Sequence, residues 1–385
     1  MTSTEVDETE FRIIDAGPPP ERFARGWHCV GLVRDFKDGK PHSIHAFGTK
    51  LVVFADSQGD LQVLDAYCRH MGGDLSQGEI KGDSVACPFH DWRWGGNGKC
   101  TDIPYARRVP PVAKTRAWTT MEQDDLLFVW NDPEGNPPSP GVTIPVIKTA
   151  DAEWTDWVWK TFVIDTNSRE IIDNVVDMAH FFYVHKSFPT YFKNVFEDHV
   201  AVQYFRGESR EDIRPKITDG SAPNLVATHS DAAYYGPSYM IDVLDYEYET
   251  GTVNSVLTTC HYPVSANQFV LMSGITVKKT GYTPDGSDAA DFARKHSEFI
   301  AYGFEEDVKI WKNKSRINNP LLCEEDGPVY QLRRWYDQFY VDAADVTPDM
   351  VARFEFEMDT SKAVEAWRRE VDDNIARRKA TNSSM

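Results

Sequence analysis

No stretch of this chain stays apolar for long. Leu51-Val52-Val53-Phe54-Ala55 is typical of its longest runs, far from the roughly eighteen residues of a membrane span. Positive charge is scarce: 41 Lys and Arg stand against 60 Asp and Glu, a formal net charge of −19, which argues against nonspecific nucleic-acid binding. The first ten residues are acidic and polar, so no secretory leader is expected. Cysteine is sparse too, six in 385 residues, and makes no disulfide framework. Cys29, Cys260 and Cys323 sit in apolar or aromatic surroundings and read as reduced core residues. The expected compartment is therefore a reducing cytoplasm.

Two of the few cysteines stand beside histidines. Cys68-Arg69-His70 and Cys87-Pro88-Phe89-His90 are separated by sixteen residues. This is the ligand spacing of a Rieske [2Fe–2S] centre, with two cysteines on one iron and two histidines on the other. A structural zinc site is the alternative, although zinc sites rarely use Cys-X-His as a ligand pair. Cys100 fits neither pair and reads as a small buried hydrophobe.

The length allows two or three domains. Residues 1–25 read as a loose arm. Residues 26–133 alternate short apolar runs with turns and predict a small β domain, with strands at 45–54, 60–65 and 126–130. Residues 132–141, rich in Pro and Gly, form the clearest linker. The rest, 134–385, predicts a second domain: a strand over 154–164, then a helix from Ser168, capped by Ser168 or Asn167, that buries Ile171, Val175, Met178 and Phe182. Strand-like stretches follow at 224–228, 233–248, 253–262 and 268–278 and imply an antiparallel sheet. Helices are expected over 289–314 and 349–379, with 380–385 disordered. The fold class is α+β.

The helix after Ser168 carries Asp173-X3-Asp177-X2-His180-X4-His185. Two histidines and acids on one element point to a second metal; satisfied histidines and solvated acids are the alternative. His180 and His185 lie about 140° apart on an ideal helix and converge only if it bulges or ends between them. A non-haem Fe(II) site needs a carboxylate as well. Ile300, Phe304, Asp307 and Trp311 share one stripe of the later helix, so Asp307 is expected on a buried face, where metal ligation or a salt bridge would offset its burial. Asp177 is assigned to the free N–H of His180, fixing the imidazole tautomer. Asp173 either supports Asp177 or starts the helix, and Asn174 is a polar wall group or a surface amide.

Cys68, His70, Cys87 and His90, followed by the Asp173 to His185 motif, resemble the Rieske non-haem iron oxygenases. The segments 68–73 (CRHMGG), 87–96 (CPFHDWRWGG), 173–185 (DNVVDMAHFFYVH), 189–196 (PTYFKNVF) and 331–340 (QLRRWYDQFY) are similar to the branch that hydroxylates 3-ketosteroids at C9. The resemblance implies an N-terminal Rieske domain and a helix-grip catalytic domain, a curved antiparallel sheet around a helix. It supports Asp307 as third ligand to a mononuclear iron and implies O2 as co-substrate. It also implies a reductase partner carrying NADH-reduced flavin and its own [2Fe–2S] cluster. A head-to-tail homotrimer is expected, in which Asp177 bridges His180 to a Rieske histidine of the neighbour, His90 rather than His70.

The cavity would be large and apolar, with Phe182, Tyr235, Tyr239, Met240, Met272, Phe304 and Trp311 as candidate walls. Arg69, Lys81, Arg93, Lys99, Arg107 and Arg108 form a basic cluster that could steer an acidic reductase or be a solvated rim. Two other readings stand beside the oxygenase. A Rieske electron carrier would leave the second ligand set unused, and a different oxygenase chemistry on the same scaffold is not excluded by the motifs.

Overall fold

Three small antiparallel sheets build the N-terminal region of the computed structural model, which describes residues 20–149, 153–213, 225–249, 251–279, 283 and 288–382. In one, β11 (Leu126–Asn131) lies between β1 (Gly26–Leu32) and β10 (Thr120–Gln123). Another orders β2 (His42–Ala46), β3 (Thr49–Ala55), β4 (Leu61–Asp65) and β9 (Ala117–Trp118). The smallest is the meander β5 (Glu79–Lys81), β6 (Ser84–Ala86), β7 (Arg93–Gly95) and β8 (Cys100–Asp102). The expected strand over 45–54 is two strands, because the chain turns at Phe47 and Gly48, both at positive φ. Nineteen residues of the predicted arm, Asn224 and 383–385 fall outside the described residues. Arg25, within that arm, is held: its guanidinium donates to the carbonyls of Gln338 and Val341.

The C-terminal region is one eight-stranded antiparallel sheet. Its order is β12 (Val158–Ile164), β18 (Gln268–Val277), β17 (Gly251–Ser265), β16 (Tyr239–Tyr248), β15 (Leu225–Tyr235), β14 (Val200–Ser209), β13 (Ser187–Glu197) and β19 (Phe354–Glu357). Helix α2 (Ala289–Asn313) packs its apolar stripe on this sheet, with Ile300, Phe304, Val308 and Trp311 in the same core as Leu257, Leu271 and Ile275. Asp288 caps α2 by accepting from the N–H groups of Ala290 and Asp291, two of the donors a helix start leaves unpaired. This is the expected α+β architecture, with the sheet gripping a helix.

Several elements depart from expectation. Residues 233–248 are not one strand: Gly236, at φ 76°, turns β15 into β16. Strands β13 and β14 were not foreseen. The predicted tail helix is α4 (Pro348–Val351), then β19, then α5 (Ser361–Asn382), so β19 covers an edge of the sheet that would otherwise stay unpaired. Ala380 and Thr381 continue α5 instead of being disordered. Cys323 is exposed and belongs to no core. Cys29 and Cys260 are buried where the two regions meet, among Trp27, Trp130, Tyr239 and Met272.

Candidate metal centres and their cavity

Cys68 and Cys87 each open a loop of the same construction. Gly72 N–H donates to the Cys68 carbonyl, and Cys68 N–H to that of Gly73; Asp91 N–H donates to Cys87, and Cys87 N–H to Trp92. Each loop turns through a left-handed residue four positions after its cysteine, Gly72 at φ 76° and Asp91 at φ 56°. Lys81 and Arg93 both grip the Asp91 carboxylate and brace the non-glycine turn. Both thiols are buried and unbridged. The rings of His70 and His90 lie 4.7 Å apart, His70 stacked on Trp92. Burial pushes the Cys68 thiol up, the adjacent Cys87 adds to this, and the Trp94 N–H, 3.3 Å from its sulfur, works against it. Two adjacent buried thiols and two imidazoles packed together on the same pair of loops are the donor set of a Rieske cluster, whose iron is the cation that would stabilise their thiolates.

The second centre depends on a broken helix. In place of one helix after Ser168 the chain makes 3₁₀ turns over Ser168–Glu170 and Ile172–Val176, then α1 (Ala179–Tyr183). Asn167 caps the first turn. Asp177, at φ −91° and ψ 97°, interrupts the run. α1 ends by widening: the His180 carbonyl accepts from both Val184 and His185, an i+4 and an i+5 bond. The two imidazoles thereby converge, with ring centroids 5.1 Å apart.

Asp307 completes this group from α2. The ligand atoms of His180, His185 and Asp307 all lie within 4.8 Å of one another, and His185 Nε2 is 3.1 Å from Asp307 Oδ2. Burial and the His185 charge hold His180 below its ordinary value. Burial also opposes charge on His185, but the facing Asp307 carboxylate outweighs it and raises this group. Two imidazoles and a carboxylate open to a cavity are the donor set of a non-haem Fe(II) facial triad.

The surrounding shell corrects one expectation. The His180 Nδ1–H is taken by the main-chain carbonyl of Asp177, not by its carboxylate, whose Oδ2 lies 3.9 Å away. The tautomer is still fixed, leaving Nε2 as the ligating atom. Oδ1 of Asp177 instead accepts the His180 backbone N–H, and about half of the side chain stays exposed. Asn174 does reach the centre: its Nδ2 donates to Asp307 Oδ1, and its Oδ1 accepts from Trp311 Nε1. Asp173 faces away, paired with Arg333.

The triad lies in a cavity of about 1180 Å³ between the sheet and α2. Of the predicted walls, Met240, Phe304 and Trp311 line it. Phe182 stacks on Trp367 in a separate core. Tyr235, Tyr239 and Met272 face the junction with the N-terminal region. The reason is strand alternation: Tyr234, Met240 and Leu271, one position along, hold the inward places. Ser230, Asp242 and Thr259 line the cavity and were missed. Counting in twos from Met240 along β16 would have found Asp242. Of the basic cluster, Lys81 and Arg93 are consumed by Asp91, whereas Arg69, Arg107 and Arg108 are exposed.

Residues 26–114 match the Rieske [2Fe-2S] domain family, and residues 129–340 match the 3-Ketosteroid 9alpha-hydroxylase C-terminal domain family. The chain is 65% identical over 378 residues to a 3-ketosteroid-9-alpha-monooxygenase oxygenase component of Rhodococcus rhodochrous, covering 98% of this chain and 95% of that protein. It is 55% identical to the protein of that name from Mycobacterium tuberculosis, covering 99% and 98%. Among solved structures, NdmB of Pseudomonas putida CBB5 has the same fold, with a TM-score of 0.64 at 16% identity over 86% of this chain and 96% of that one. Two ligand sets, in a chain matched over nearly its whole length, place it in the 3-ketosteroid 9α-hydroxylase family of Rieske non-haem iron oxygenases, with a [2Fe–2S] cluster and a mononuclear iron as its cofactors.

Proposed function

We propose that this chain is the terminal oxygenase of a two-component monooxygenase that hydroxylates C9, on the α face, of 3-ketosteroids. Substrates of this kind include 4-androstene-3,17-dione, 1,4-androstadiene-3,17-dione and their CoA-thioester side-chain precursors, and the step leads to B-ring opening in steroid breakdown. One observation carries the reading: the His180, His185 and Asp307 triad opens into an apolar-walled cavity of about 1180 Å³. Sites for drug-sized ligands usually measure about 300–1,000 Å³, so this one has room for a fused four-ring skeleton and a side chain. The site roles follow the ligand sets: Cys68, His70, Cys87 and His90 for the cluster, and His180, His185 and Asp307 for the mononuclear iron.

When bound, the cluster supplies single electrons and the iron supplies oxygen activation and hydroxylation. The protein does the rest. The Asp177 carbonyl keeps the His180 proton on Nδ1. Asn174 fixes the Asp307 carboxylate, and Trp311 fixes Asn174. Phe304, Leu271 and Leu257 exclude water from the reacting carbon.

The domain boundary is set at 133/134. The partner is a flavin and [2Fe–2S] reductase using NADH, docking near exposed Arg69, Arg107 and Arg108. No helix among the described residues is long and apolar enough to cross a membrane, and we assign the protein to the cytoplasm. A head-to-tail homotrimer is the assembly proposed, since a closed ring lets one subunit's cluster face another's iron. The half-exposed Asp177 carboxylate and the exposed Met71 and Phe89 beside the cluster loops support it. There Asp177 would meet His90 of the partner subunit.

Anaerobic single turnover tests the reading. The reduced protein is mixed with 1,4-androstadiene-3,17-dione, O2 is admitted, and products are identified by mass spectrometry. A singly hydroxylated steroid or its ring-opened phenol is expected. Oxidation of the cluster with no steroid product would overturn the assignment.

A further inference from the structure

Near the middle of the sheet, Asp242 lies in register between Ala232 on β15 and Leu257 on β17. It is 7% exposed and lines the cavity. Among the described residues no cation lies within ion-pair distance of its carboxyl group. Its one hydrogen bond comes from Ser230, whose Oγ, itself buried, donates to Oδ1 at 2.8 Å. Oδ2 has no partner among the described residues. A buried carboxyl group left half-satisfied is costly, and such groups are almost always paired in a folded protein. The unmet partner is therefore sought in what fills the cavity.

We propose that Asp242, braced by Ser230, is a specificity-determining residue that hydrogen-bonds a ketone oxygen of the bound steroid from the cavity wall, an inference that rests on the substrate class above. A ketone can only accept, so the wall must donate. Burial pushes the Asp242 carboxyl up to about 7, with the Ser230 hydrogen bond pulling down and the Asp231 charge adding to the rise; His185, on the iron side, pulls it down. In its acid form the carboxyl group can donate from Oδ2 while Oδ1 keeps the Ser230 bond. The other carboxyl groups lining the cavity are committed elsewhere: Asp307 belongs to the triad and Glu306 binds Lys309.

Steroid dissociation constants measure this directly, by anaerobic equilibrium dialysis on the holoenzyme, where no turnover occurs. The ligands are 4-androstene-3,17-dione, androst-4-en-3-one and androst-4-en-17-one. Asp242→Asn keeps a neutral donor of the same shape and should bind the dione within about threefold of wild type. Asp242→Leu removes the donor and should bind it about tenfold more weakly, the usual worth of one hydrogen bond. That penalty should vanish for the analogue lacking the contacted ketone and persist for the other, which names C3 or C17 as the site of contact. A penalty equal for all three steroids, or none for any, overturns the anchor while leaving the substrate class intact. Failure of the wild type to bind any of them overturns both.

Discussion

Arg333 holds Asp173 in a two-pronged grip, Nε to Oδ1 at 3.1 Å and Nη2 to Oδ2 at 2.7 Å. The pair ties α3 (Val329–Asp337) to the 3₁₀ turn that leads into the iron-binding helix. Nearby, Lys314 and Arg316 hold buried Glu170. The polypeptide before His180 is thus fastened by a small ionic network, and the position of the ligand depends on it.

Arg333→Ala leaves Asp173 partly buried without its fork. A loss of about 2–3 kcal/mol in stability is expected, seen as a lower melting temperature, with reduced iron content. Arg333→Lys should recover only part, because an ammonium cannot donate in two parallel bonds. A variant with wild-type melting and iron would show that the grip is incidental.

Asp177→Ala separates electron delivery from metal binding. The carbonyl that orients His180 is retained, so iron and cluster should both remain by metal analysis. Product formation should fall roughly 10–100-fold. Undiminished steroid product would eliminate the proposed bridge to the neighbouring cluster.

Gly73→Ala should damage the cluster alone. A β-carbon there would stand 2.6 Å from Cys87 Sγ and 3.3 Å from Phe89 Cβ. Overpacking of this kind costs about 1–3 kcal/mol, and here it displaces a ligand. Acid-labile sulfide and visible absorbance report the outcome, with mononuclear iron as the internal control. Full sulfide content would contradict the close approach.

Asp307→Ala gives the reciprocal result. Total iron should drop from about three to about two per chain while sulfide is unchanged. An unaltered iron count would remove Asp307 from the ligand set.

Acid should loosen the contact between the two regions. His28 is buried there, its Nε2 3.0 Å from the Ala24 carbonyl and its Nδ1 3.4 Å from that of His261. Burial lowers His28 to about 4 and His261 to about 3. Both pKa values are depressed on folding, so the unfolded chain binds more protons below its own pKa near 6.5. Stability is complete above that pH and is lost as pH falls toward 4, by ~3 kcal/mol for His28 alone. Melting temperatures from pH 7.5 to 5 would check this, and His28→Gln should flatten the curve.

Local sequence carried the cluster ligands plainly, because both pairs sit on adjacent hairpin loops where spacing is nearly geometry. Asp307 was legible through the stripe it shares with Ile300 and Trp311. The break at Asp177 was foreseeable only as a requirement that His180 and His185 converge. Nothing local distinguishes Tyr234 from Tyr235 or Met272 from Leu271, since both faces of these strands are buried, one by the cavity and one by the neighbouring region. The Asp173–Arg333 grip spans 160 residues and has no local signature. Nor has β19, four residues that gain a partner only when β13 is in place.

The two ligand sets differ in how far the chain must travel to assemble them. Those of the cluster all fall between residues 68 and 90, on two loops that a nascent chain can bring together soon after synthesis. Asn174 meets Asp307 across 133 positions, with six of the sheet's eight strands between them in sequence. Such distant contacts form late, after the loop entropy of the intervening strands has been overcome. Maturation therefore has a built-in order: the cluster can be inserted early, whereas the mononuclear iron has no complete binding site until the sheet has closed around α2.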